Sequence, residues 1–217
     1  MKTCIYFAEN LKNCREAASF VPGFGFSADG LWRSVPLPSR ANGILIDDRR
    51  LPNRLGLAAA IRALREFEGV IVLDFERRRV PALAELTNGL RGKRLVLPPA
   101  YAELPHEAVL IGPWQGECGL SHWLSCQREK YGSVLLDALP LCLQCYPGGR
   151  RKQWRHAVPE SGFFNPALSC LHRRLCDGSI LLWDTRQTLH ARLEQACVPA
   201  ILFRSDWEAL PEGENCV

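Results

Sequence analysis

Gly69-Val70-Ile71-Val72-Leu73-Asp74-Phe75-Glu76 is an apolar run broken only near its end, where two acids stand two residues apart. A run without polar alternation is what a strand covered on both faces requires, as in parallel sheets. Alternation along the strand places Asp74 and Glu76 on one side. Similar short runs recur along the chain and alternate with amphipathic stretches, the pattern of parallel strands joined by helices.

Working outward, Gly43 to Ile46 reads as a strand ending in Asp47 and Asp48. Leu55 to Phe67 sets Leu55, Ala58, Ala59, Ile61, Leu64 and Phe67 near one helical face. Val80 to Leu90 reads as the helix after the 70–75 strand, with Pro81 in its first turn. Arg94 to Leu97 is a strand stopped by Pro98-Pro99. Further strands are expected at 3–7, 108–111, 134–136, 141–146, 180–183 and 200–203, with a helix over 189–197. The Gly/Pro-rich stretch Val21 to Ser27 fits neither period. The expected fold is α/β, a TIM-type (β/α)8 barrel, compact or partly eroded, spanning residues 1–217 as one domain. An open doubly wound sheet is the competing architecture.

The chain has 217 residues, 47% of them apolar, enough for a sizeable core without covalent staples. Net charge is only +4. Arg77-Arg78-Arg79 and Arg150-Arg151-Lys152 read as solvated loop charges, and no nucleic-acid-binding pattern accompanies them. The N-terminal apolar stretch is too short for a signal peptide, and no run reaches the roughly 18 apolar residues of a membrane span. A cytoplasmic protein without a membrane or nucleic-acid partner is therefore expected. The ten cysteines lie largely in apolar segments, where a thiol packs as a small hydrophobe. Cys142-x-x-Cys145 has a zinc-ligand spacing, but it falls in a strand-like run, so no metal is expected. Gly23-x-Gly25 lacks the third glycine and following helix of a dinucleotide loop, and no cofactor is expected.

In an α/β barrel the functional groups stand at the C-terminal ends of the strands. Asp47, Asp74 with Glu76, Gln144 with Tyr146, and Trp183 with Asp184 all occupy such ends. Two neighbouring carboxylates do not both ionise freely, so one pKa rises toward the range of a general acid. A competing reading pairs Glu76 with an arginine of 77–79, and Asp47 and Asp48 with Arg49 and Arg50.

Residues 69–76 resemble the active-site strand of family-18 glycoside hydrolases, the chitinase-like group, which carries D-x-D-x-E. The resemblance implies that Glu76 is the proton donor and that Asp74 orients the 2-acetamido group of an N-acetylated amino sugar. Val72 stands where the first aspartate of that motif would be. Leu143 to Pro147 resembles the family's M-x-Y-D strand, implying that Tyr146 hydrogen-bonds the acetamido carbonyl. Trp183 to Arg192 resembles the Asp-rich turn and helix of the spore-type members. Phe203 stands where the family has a sugar-floor tryptophan, and Trp207 is a candidate substitute. The implied activity is substrate-assisted, retaining hydrolysis, with Asp47, Gln144, Trp183 and Asp184 as substrate-binding candidates. A catalytically inactive barrel serving glycan binding or protein interaction is the alternative. An unrelated barrel with a coincidental D-x-E is a third possibility.

Overall fold

The computed structural model describes residues 4–7, 19–36, 41–47, 56–75, 81–116 and 118–213. The expected Glu76 and the arginines at 77–79 lie outside the described residues, as does the side chain of Asp47.

The main sheet has nine strands: β1 (Cys4–Phe7), β2 (Ser19–Phe26), β3 (Trp32–Arg33), β4 (Ala41–Asp47), β5 (Val70–Asp74), β6 (Leu95–Leu97), β7 (Ala108–Ile111), β8 (Val134–Asp137) and β14 (Ala200–Phe203). Strands β2, β4, β5, β6, β7, β8 and β14 run parallel in that spatial order. β1 pairs antiparallel with β14 along one edge and with the start of β2 along the other. Helices α1 (Leu57–Glu66), α2 (Pro81–Gly89), α3 (Leu120–Tyr131) and α4 (Arg186–Ala196) connect the strands, and the short α5 (Arg204–Glu208) follows β14. The architecture is thus mixed α/β around a mainly parallel sheet. Among the described residues no helix is long and apolar enough to cross a membrane.

The two faces of this sheet bury different things. One residue from each parallel strand (Phe20, Leu45, Val72, Val96, Leu110, Leu135 and Ile201) joins a single cluster on the inner face. The opposite face packs against helices, with Ile44, Ile71, Leu73 and Leu95 meeting Ala60 and Leu64 of α1 and Leu83 and Leu86 of α2. Each fully buried leucine there contributes about 1.5–3 kcal/mol by leaving water. Both faces being covered accounts for the unbroken hydrophobicity of residues 69–73.

The unassigned stretch at 21–27 is largely β2. Its register against β4 shifts between Pro22 and Phe24, where Gly23 takes φ +105°. A proline without an N–H and a glycine at a bulge hide a strand from pattern reading. Gly43 on β4 lets the Phe20 ring lie across the strand, where a Cβ would collide with it.

A second, five-stranded antiparallel sheet is inserted between β8 and α4. It comprises β9 (Cys142–Cys145), β10 (Arg151–Gln153), β11 (Phe163–Asn165), β12 (Cys170–Arg174) and β13 (Ile180–Trp183), ordered β10-β9-β13-β12-β11. The sequence leaves open which strands up to Tyr146 join the central sheet, and the reading of 141–146 and 180–183 as barrel strands with functional ends is corrected. They pair with each other antiparallel, Leu143 opposite Leu182 and Cys142 opposite Trp183. One face of this sheet, through Leu143, Cys170 and Leu182, joins Leu120 and Leu124 of α3 and Leu189 and Leu193 of α4 in a common core. Helix α4 starts earlier than its apolar period suggests. A capping box supplies its first turn: the Thr185 hydroxyl accepts the Thr188 N–H at 3.2 Å, and the Thr188 hydroxyl accepts the Thr185 N–H at 2.9 Å.

Candidate functional site

The inner-face alternation carries on to the strand ends. Val70 and Val72 belong to the inner cluster, so Asp74 closes β5 on that side. Leu135 is in the same cluster, which puts Asp137 on that side at the end of β8. Phe203 does the same for β14, and Asp206 follows on α5. These groups line a cavity of about 580 Å³ together with Pro98, Leu110, Gly112 and Leu139. Such a volume accommodates a small ligand.

Gly112 is required by crowding there. It takes φ +114°, and a Cβ on it would come within 3.0 Å of the Asp137 carbonyl oxygen. The glycine lets the end of β7 approach β8 closely beside the acids.

The electrostatics of the cavity centre on Asp137. Burial pushes its carboxyl up to about 6, and the negative charges of Asp74 and Asp206 push in the same direction. A hydrogen bond from the Leu139 backbone opposes the rise. A carboxyl in this range exchanges its proton near neutral pH, as a general acid or base must. Asp137 escaped the sequence reading, although the signal was present. Val134-Leu135-Leu136-Asp137 is an apolar strand closed by an acid, in the same style as residues 70–74.

The remaining sequence candidates separate into groups. Asp47 lies directly beside Asp74 in the β4–β5 register. Phe203 lines the cavity, whereas Trp207 packs against the core shared by the second sheet and α4. Tyr146 and Gln144 belong to the second sheet. The Tyr146 hydroxyl donates to Gln144 Oε1 at 2.8 Å, and Gln144 Nε2 donates to Ser179 Oγ at 2.8 Å and Asp177 at 3.1 Å. Neither lines the cavity around Asp74.

Trp183 is only 1% exposed, its ring lying against Gly162. Asp184 is equally buried. It accepts Arg192 Nη1 at 2.6 Å and Nη2 at 2.5 Å, and the Leu141 N–H at 2.7 Å. These two residues act in packing and in a buried ion pair. Neither lines the cavity around Asp74.

The cysteine pair at 142 and 145 is separated by geometry. On a strand, residues three apart point to opposite faces, and Cys145 joins the helix-side core while Cys142 pairs with Trp183 on the other side. Burial raises both thiols above their ordinary range, and it pushes Cys170 up to about 12. Among the described residues no group of three histidine, cysteine or acidic side chains is set to hold a metal ion. Comparison with known proteins returns no match to a family model, a curated protein or a solved structure.

Proposed function

We propose that the chain is a (β/α)8-type glycoside hydrolase that cleaves an N-acetylated amino sugar at the C-terminal mouth of its parallel strands. The observation that carries this reading is Asp137, held near a pKa of 6 in a cavity it shares with Asp74 and Asp206. The barrel itself is supported by the inner cluster drawn from every parallel strand and by the two pairings of β1.

Asp137 supplies the proton to the leaving glycosidic oxygen. Asp74 receives the acetamido N–H, and the acetamido carbonyl oxygen attacks the anomeric carbon as the protonated glycosidic oxygen leaves. Water that gives its proton back to Asp137 opens the resulting oxazolinium, so that no carboxylate nucleophile is needed. Phe203 offers an apolar wall for the sugar ring. The role the resemblance implies for Tyr146 does not carry over, because its hydroxyl is engaged on the second sheet. That same observation favours the competing reading, a barrel that binds a glycan without cleaving it.

Hydrolysis of chitooligosaccharides and of an aryl N-acetylglucosaminide by wild type, Asp137→Asn and Glu76→Gln tests the reading. Turnover by wild type with a loss on the order of 100-fold in Asp137→Asn supports it. Binding without turnover establishes the non-cleaving alternative. Undiminished turnover in Asp137→Asn, with loss in Glu76→Gln, moves the donor role to Glu76.

A further inference from the structure

The parallel strands also leave space at their N-terminal ends. A second cavity, of about 460 Å³, lies there on the inner face of the main sheet. Phe20, Val96 and Leu135 line it, and all three belong to the inner cluster whose Leu110 lines the cavity of Asp137. The two cavities therefore stand at opposite ends of one ring of apolar side chains.

Small residues account for the unfilled space. Alternation sets Gly43 on β4 and Ala108 on β7 at the inner-facing positions just before that ring. The Phe20 ring lies over Gly43, but Ala108 offers the cavity only a methyl group. Arg94 holds the corresponding place before β6, and its side chain reaches out to the rim. There its Nε and Nη2 donate to the Glu107 carboxylate at 2.8 and 2.6 Å, both residues being exposed. An apolar floor of this size beneath a polar rim is the makeup of a small-molecule site.

The rim sets the charge of the ligand. The Arg94 hydrogen bond holds the Glu107 carboxyl below its usual range, so the two form a neutral pair. Glu68 stands exposed on the same lining, and among the described residues it has no hydrogen-bond or ion-pair partner. Lys93 is turned to the Phe67 carbonyl, at 2.9 Å, and does not line the cavity. Two carboxylates against one guanidinium leave the lining with one unmatched negative charge.

We propose that this cavity binds a small amphipathic amine, with its apolar body against Phe20, Val96 and Leu135 and its ammonium at Glu68. The site is independent of the hydrolase reading, which concerns the other end of the strands.

Phenylbutylamine, phenylbutanol and phenylbutanoate share one apolar body and differ in the charge of the head. Each is titrated into the full chain by calorimetry. The amine is expected to bind about three- to fivefold more tightly than the alcohol, the range of an ion pair at an exposed rim, and the acid most weakly. Glu68→Gln is expected to bring the amine down to the affinity of the alcohol. Ala108→Leu, which fills the cavity, is expected to weaken the amine and the alcohol at least about tenfold. Thermal melting checks that both variants fold. Because Glu68 is exposed, its variant reads the head-group contact whatever becomes of Ala108→Leu. No binding by wild type, equal affinity for the three heads, or undiminished amine binding in Glu68→Gln overturns the proposal. Loss of amine binding in Asp137→Asn rather than in Glu68→Gln places the amine at the other cavity and overturns it as well.

Discussion

Arg192 on α4 closes both guanidinium Nη atoms on the Asp184 carboxylate at the end of β13, at 2.6 and 2.5 Å, with both side chains almost fully buried. The guanidinium lies over the Trp114 ring, 4.8 Å from its centre. The pair ties the inserted sheet to the helix that leads back into the main sheet. Removing one partner leaves the other charged and buried, which typically costs about 3–5 kcal/mol. Arg192→Met is therefore expected to lower the unfolding free energy by that order in urea denaturation. A change below about 1 kcal/mol would show that the pair contributes little beyond its own desolvation.

Asp137 makes stability depend on pH in the direction opposite to a salt-bridged carboxylate. Its folded pKa, about 6, lies above the ordinary 3.8. Between those values the folded state binds more protons than the unfolded one, so stability falls as pH rises through this window. The cost is complete above the folded value and absent below the unfolded one. Asp137→Asn is expected to gain on the order of 2 kcal/mol at pH 7 relative to wild type, and little near pH 4. Thermal melting at the two pH values measures the difference.

Asp74 is one of the charges that raise Asp137. Asp74→Asn is expected to bring the Asp137 pKa down toward its ordinary value without restoring it fully, since burial is the larger cause. Carboxyl-carbon NMR titration of the two proteins reads the shift directly. An unchanged titration would mean that the two acids do not sense one another.

Val72 stands where the proposed family-18 likeness would call for an aspartate, and the structure gives a physical reason to keep it apolar. It is fully buried in the inner cluster with Leu45, Val96 and Leu135. Val72→Asp would place a carboxyl there among apolar side chains, at a cost of several kcal/mol even when protonated. It is expected to unfold the protein near neutral pH or shift its melting sharply downward, without gain of activity. A stable, more active variant would show that the cluster opens to a polar group.

Much of the parallel sheet was legible, because runs covered on both faces carry an unmistakable pattern, and α1 and α2 match their expected segments closely, while α4 begins three residues before its expected start. β2 was not, because Pro22 and Gly23 interrupt the pattern where the strand bulges. The second sheet was misplaced for a different reason. Leu141 to Cys145 and Ile180 to Trp183 are as apolar as central strands, and local composition does not say which strand each will pair with. The site suffered accordingly. Asp74 lines the cavity at the strand end where the sequence places it, whereas Gln144, Tyr146, Trp183 and Asp184 stand on or just after strands of the second sheet. Asp206 sits on a short helix after β14 and had no periodic signal to mark it.

The pH profile of chitooligosaccharide hydrolysis by wild type and Asp137→Asn tests the proposed proton donor. Wild-type turnover is expected to fall as pH rises past about 6, the pKa of Asp137, and the variant to lose activity on the order of 100-fold. Equal rates in the two proteins, or no turnover of any amino sugar by wild type, would contradict it.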